Sequence, residues 1–126
     1  MFQCVHHIAI IASDYQKSRH FYTEILGLDI IREIWRAQRQ SWKCDIAIGT
    51  TQIELFSFPT PPTRPTQPEA AGLRHLAFSV DDMQAAVAHL ENHAIRCEPV
   101  RTDPYTGKLY TFFTDPDGLP LELYQS

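Results

Sequence analysis

The 126-residue sequence has only five glycines and three cysteines, and it carries no surplus of positive charge. So few glycines leave little material for a phosphate-cradling loop, and no G-x-G-x-x-G, Walker or G-x-S-x-G pattern occurs. Cys4, Cys44 and Cys97 are odd in number, far apart and free of any C-x-x-C spacing. That argues against a disulfide framework and a thiolate zinc site, and it makes the cytoplasm the expected compartment. No apolar run approaches the roughly 18 residues of a membrane span. The first residues, Met1 to His7, have neither the basic nor the apolar region of a signal peptide, so no export signal is expected. Eleven Lys and Arg against fifteen Asp and Glu leave a net charge of −4. Neither nucleic acid nor a membrane is then an expected partner, because phosphate binding needs a basic face.

The composition that is present is ordinary for a globular protein, with 44% hydrophobic and 21% charged residues. The length suits one domain able to remove about two-thirds of its unfolded surface from water. An internal repeat organises it. His7-Ile-Ala-Ile-Ile-Ala-Ser-Asp14 is echoed by His75-Leu-Ala-Phe-Ser-Val-Asp-Asp82, and Ile53-Glu54-Leu55-Phe56 by Leu121-Glu122-Leu123-Tyr124. Glu54 follows His7 by 47 residues, and Glu122 follows His75 by the same 47. Two copies of a half this short are too few for a solenoid and read as a duplicated supersecondary unit. Between them, positions 58–68 hold five of the nine prolines. Proline fixes φ and removes a donor, so this stretch is expected to be an extended, fairly stiff linker. The expected organisation is a single domain over 1–126, with a first module over about 1–58, a linker over about 59–71 and a second module over about 72–126.

Each half reads as strand, helix, then three strands, an α+β class of two βαβββ modules. Val5–Ala12 is β-rich, Ser13-Asp14-Tyr15-Gln16 resembles a capping box, and Tyr15, Ser18, Phe21, Tyr22, Ile25 and Leu26 recur at helical spacing up to Gly27. In the second half Asp81 or Asp82 caps a helix whose buried stripe is Met83, Ala86, Val87 and Leu90. Further strands are expected at Asp29–Arg36, Trp42–Ile48 and Gln52–Phe58, and at Ala94–Val100, Leu109–Thr114 and Leu121–Gln125. Asp115-Pro116-Asp117-Gly118 is a turn by composition.

Alternation along a strand sets His7 with Ala9 and Ile11, opposite Ile8, Ile10 and Ala12. It likewise sets His75 with Ala77 and Ser79, opposite Leu76, Phe78 and Val80. Glu54 and Glu122 point away from their aliphatic neighbours. Two histidines and two glutamates, each expected on a central strand and repeated at one spacing, form a candidate metal site for Zn, Ni, Co, Fe or Mn. Any one of the four alone is better explained as a bonded core histidine or a solvated strand glutamate; the duplicated set favours the metal. His6 has no counterpart in the second copy, where Arg74 stands, and it is expected at the surface or behind the ligands. His20, His89 and His93 fall on helices. Arg36, Arg39, Lys43, Arg101 and Lys108 could hold a substrate carboxylate or phosphate, or simply be solvated.

In this order the segments, together with Phe21-Tyr-Thr-Glu-Ile-Leu-Gly27, Gly72-Leu-Arg-His-Leu-Ala77 and Asp115-Pro-Asp-Gly-Leu-Pro-Leu-Glu-Leu123, resemble the vicinal oxygen chelate superfamily of glyoxalase, bleomycin-resistance and dioxygenase proteins. The chain is most similar to the short glyoxalase I (lactoylglutathione lyase) branch. The resemblance implies one domain of two modules, usually paired as a homodimer, with His7, Glu54, His75 and Glu122 as the ligands of one divalent ion. A histidine in the first ligand position implies Ni or Co ahead of Zn, Mn or Fe. It further implies a small carbonyl or hemithioacetal substrate, a metal-stabilised enediolate, and Glu122 as proton-transferring base with Glu54 as its partner. Two positions depart from the branch: Ile11 stands where glutathione users carry an Arg, and Phe58 where they carry an Asn. Losing a cation and an amide weakens the case for glutathione itself. Related alternatives are an extradiol-type dioxygenase, a fosfomycin-type thiol transferase, and a non-catalytic drug- or ligand-binding protein, which would lack the four ligands.

Overall fold

The chain forms two compact units, Met1–Thr63 and Arg64–Ser126, in a computed structural model that describes all 126 residues. In the first, β1 (His7–Ala12), α1 (Tyr15–His20), β2 (Ile30–Arg36), β3 (Ser41–Ile48) and β4 (Thr51–Ser57) follow in order. In the second the order is β5 (Leu76–Val80), α2 (Met83–Asn92), β6 (Arg101–Thr102), β7 (Leu109–Thr114) and β8 (Pro120–Gln125). The first sheet runs β1-β4-β3-β2 and the second β5-β8-β7-β6. In each, the first strand lies parallel to the last and the other pairings are antiparallel. Parallel neighbours cannot be joined by a hairpin, so the helix and two strands of each unit make the crossover. The architecture is the α+β, βαβββ type.

The two helix starts are near copies. Asp14 (φ −120, ψ 99) accepts from the Lys17 N–H, and Asp82 (φ −118, ψ 99) from the Ala85 N–H. Each carboxylate satisfies one of the backbone donors that a helix start leaves free, which is worth about 1 kcal/mol. Gln16 makes no return bond to the cap, so Asp14 acts alone rather than within a capping box.

The helices then differ. α1 gives way to a π-helical turn at Phe21–Ile25, where the Leu26 N–H reaches the Phe21 carbonyl at 2.9 Å. The Thr23 hydroxyl bonds the Arg19 carbonyl at 2.7 Å, a side-chain bond that competes with the helical ladder. The regular helix expected through Leu26 is therefore interrupted, and the interruption lets two successive aromatics, Phe21 and Tyr22, both be buried. Gly27, at φ 71, ends the segment in the left-handed region that glycine adopts without strain.

Strand alternation sorts the two sheet faces as expected. Ile10 and Ala12 are buried while His7, Ala9 and Ile11 lie on the open face; Ile53 and Leu55 are buried beneath Glu54, as Leu121 and Leu123 are beneath Glu122. Each such aliphatic side chain contributes about 2 kcal/mol. A strand over Ala94–Val100 does not form. Ala94 has φ 60 and Pro99 has no donor, and the segment is held to β7 by isolated bonds, Glu98 N–H to the Phe112 carbonyl and Thr111 hydroxyl to the Glu98 carbonyl. Only Arg101 and Thr102 pair with β7. The proline-rich stretch has neither helix nor strand, but it turns at residues 66–69 instead of staying extended throughout.

Candidate metal and proton-transfer site

Sheet register places the same constellation in each unit. Ala9 faces Glu54 across β1 and β4, and Ala77 faces Glu122 across β5 and β8. His7, two residues before Ala9 on β1, shares the face of Glu54, and His75, just ahead of β5, meets Glu122 directly. The glutamates occupy interior strands; the histidines were expected on central strands, but His7 opens the outermost strand of the first sheet and His75 immediately precedes the outermost strand of the second. The crossover causes this, because the strand that opens each unit docks beside its last strand and pairs on one side only.

His7 Nδ1 lies 3.3 Å from Glu54 Oε2, and His75 Nε2 lies 2.9 Å from Glu122 Oε2. Both glutamates are 8% exposed. Two donors each about 2.1 Å from one ion stand about 3 Å apart at a right angle and about 3.4 Å apart at the tetrahedral angle. Either pair can thus form one edge of a coordination polyhedron around a divalent ion, and the imidazole–carboxylate donor set suits a borderline transition metal. His75 Nδ1 is buried without a hydrogen-bond partner. The one polar protein contact of this imidazole is therefore through Nε2, whose N–H donates to the Glu122 carboxylate.

The surroundings of the two carboxylates differ. Beside Glu54 on β3 stands Asp45, directly opposite in register and 2% exposed. Two facing carboxylates repel, and Lys43 bridges them, with Nζ 2.6 Å from Asp45 and 3.4 Å from Glu54. Arg32 adds a 3.1 Å contact to Asp45, and the Gln52 amide lies 3.4 Å from Glu54. Opposite Glu122 on β7 stands Phe112, whose ring meets His75 edge-on at 5.1 Å. Glu122 has no partner other than His75. The face around it opens into a cavity of about 1040 Å³ within the second unit, lined by His75, Glu122, Tyr110, Phe112, Arg96 and Arg101 among others.

Of the other candidates, Lys43 is engaged with the carboxylates. Arg36 bonds the Ser41 hydroxyl and lies 4.8 Å over Phe56, while Arg101 bonds Glu98 and lies 5.1 Å over Tyr110. His20, His89 and His93 are exposed at helix positions. Cys44 is buried in the first core, where desolvation pushes its thiol up, and the same cause raises Cys97. Neither environment activates a nucleophile. Asp45 and Phe112 were not singled out in the sequence. Their signal was available, because same-face alternation from Lys43 reaches Asp45, but only the observed register sets them opposite the glutamates. His6 is exposed, and its ring meets His7 edge-on at 5.2 Å.

Comparison with known proteins agrees with this architecture. Residues 5–123 match the family model of the Glyoxalase/Bleomycin resistance protein/Dioxygenase superfamily. The chain is 65% identical to the uncharacterized protein YaeR of Escherichia coli over 122 residues, covering 96% of this chain and 95% of that one. It is 56% identical to the uncharacterized protein YwkD of Bacillus subtilis over 126 residues, covering 99% and 98%. A crystal structure of a glyoxalase family protein from Enterococcus faecalis superposes with a TM-score of 0.90 at 47% identity, over 98% of each chain. More distantly, human mitochondrial methylmalonyl-CoA epimerase is 28% identical over 97% of this chain and 73% of its own. Lactoylglutathione lyase from Agrobacterium tumefaciens shares the fold, with a TM-score of 0.73 at 20% identity over 98% and 93% of the two chains.

Proposed function

The chain belongs to the glyoxalase/bleomycin resistance/dioxygenase superfamily, and from that premise we propose that it is a metal-dependent lyase or isomerase of the glyoxalase I kind. Its reaction moves a proton to or from a carbon next to a carbonyl in a small substrate. The observation that carries this reading is the repeated buried carboxylate, each held about one coordination edge from an imidazole. A methylmalonyl-CoA epimerase among the more distant relatives supports the reaction class, since inverting a carbon beside a carbonyl moves a proton off and onto it.

His7, Glu54, His75 and Glu122 are the proposed ligands. A divalent ion bound to them would supply a Lewis acid that polarises the substrate oxygens and acidifies the neighbouring C–H. Glu122 is the proposed base. No lysine or arginine engages it, and its one polar partner is His75, so it is the carboxylate with fewer fixed contacts to give up when it takes a carbon-bound proton from a substrate in the adjoining cavity. Glu54, tied to Lys43, is the less mobile carboxylate and serves to hold the ion. The assembly that goes with this reading is a cytoplasmic homodimer, and a monomeric mass in solution would contradict its dimeric part.

The apo protein, reloaded separately with Ni, Co, Zn, Mn or Fe(II), should be offered methylglyoxal–glutathione hemithioacetal and methylmalonyl-CoA in deuterated water. Deuterium entering the carbon next to the carbonyl of either compound, with Ni or Co most effective, is the expected result. Consumption of oxygen with a catechol, or thiol transfer to an epoxide, without deuterium exchange would replace this reading with the dioxygenase or transferase one.

A further inference from the structure

We propose that His6 is an additional ligand of the ion held by His7 and Glu54, a role for which the second module has no equivalent. The inference rests on the metal reading above. His6 precedes β1, whose pleat begins at His7, so its side chain is not bound to the opposite face that strand alternation would give it. Its Nδ1 lies 2.9 Å from His7 Nδ1, which in turn lies 3.3 Å from Glu54 Oε2. Ligand atoms of His6, His7 and Glu54 all fall within 4.8 Å of one another.

Two imidazole nitrogens and a carboxylate oxygen are lone-pair donors, and a single N–H on His7 can point at only one of its two neighbours. A cation satisfies all three at once. The spacings again match coordination edges, about 3 Å at a right angle and about 3.4 Å at the tetrahedral angle for ligand bonds of about 2.1 Å. Histidine nitrogens at two positions also favour Ni or Co over harder ions.

The second module sharpens the point. Where His6 would fall stands Arg74, which bonds Glu69 at 2.6 Å and has no lone pair to offer. The edge-on ring against His75 is Phe112, at 5.1 Å and 82°, whereas the ring against His7 is His6, at 5.2 Å and 88°. Both ligating imidazoles therefore have an aromatic edge beside them, and only the one in the first module carries a donor nitrogen. Ring packing alone would need no nitrogen there.

The test separates packing from ligation. His6→Phe keeps a ring and removes the donor; His6→Asn keeps polarity and removes the imidazole. Co(II) is titrated into the metal-free full chain and each variant, with d–d absorbance reporting the ligand set and chelator competition reporting affinity. Loss of affinity of about tenfold or more in both variants, a loss that removing even an outer-shell partner can cause, together with an altered d–d spectrum, is the expected result. Binding and spectrum unchanged in His6→Phe would overturn the assignment of His6 while leaving the other ligands standing. A wild-type chain that takes up no Co(II) would overturn both the assignment and the metal reading beneath it.

Discussion

The two modules carry one skeleton with two different linings. Their caps agree to within a few degrees, and the imidazole–carboxylate pair sits at the same register in both. Around Glu54 the sheet supplies Lys43, Asp45, Arg32 and Gln52; around Glu122 it supplies Phe112 and Tyr110. A backbone duplication thus conserves the placement of donor atoms, while the neighbouring strand decides what each carboxylate is free to do. Lys43 and Gln52 engage the first glutamate besides its histidine, whereas His75 is the one polar partner of the second. The same contrast runs through the helix-side faces. In the first unit Arg19 grips Glu33 with two bonds, at 2.7 and 3.2 Å, and the Tyr15 hydroxyl donates to the same carboxylate. No comparable ion pair joins α2 to its sheet in the second unit.

The comparison breaks most severely at the proposed base. Glu122→Gln, assayed at metal concentrations that saturate the variant, should lower deuterium exchange by about 10²–10⁴-fold, the usual worth of a positioned general base. Glu54→Gln should act chiefly on metal affinity, visible in chelator competition. Equal catalytic losses for both at saturating metal would erase the distinction between the two linings.

Next in size is Lys43→Met, which removes the cation that bridges Asp45 and Glu54 and leaves Arg32 on Asp45 alone. Breaking a mostly buried charge network of this kind should cost about 2–3 kcal/mol in urea unfolding. The residue at the matching register in the second module is Tyr110, and Tyr110→Phe should cost no more than about 0.5 kcal/mol, because its ring packing survives.

A smaller effect should follow at Glu33. The Arg19 hydrogen bonds, and after burial's opposing effect the Tyr15 bond, hold its carboxyl below the ordinary value of 4.5. Burial and the Glu33 bond push the Tyr15 hydroxyl upward in turn. A folded pKa below the unfolded one gives stability that is full above the unfolded value and is lost as pH falls through the folded one. Glu33→Gln should therefore destabilise by about 1–2 kcal/mol at pH 7, with the gap to wild type closing at pH values below the unfolded 4.5. A gap independent of pH would assign the effect to packing.

Much of this was legible before any coordinates. The equal spacing of His7–Glu54 and His75–Glu122 reported the duplication, and aliphatic alternation on either side of each glutamate reported which face it occupies. What could not be read was anything that depends on who stands across a strand. Asp45 and Phe112 acquire meaning only from register, and register is fixed by the whole sheet. The π-helical turn escaped notice because Phe21 and Tyr22 fit helical spacing well enough, and the competing Thr23 bond is invisible to periodicity. The strand expected over Ala94–Val100 failed on local backbone grounds, a positive φ at Ala94 that no apolar pattern announces.

Metal content of the purified chain, compared with His7→Ala and His75→Ala, tests the proposed ligand set most directly. Elemental analysis after loading with Ni or Co and removal of excess should give one equivalent per wild-type chain and almost none in either variant. Full metal content in either variant would remove that histidine from the ligand set and contradict the account.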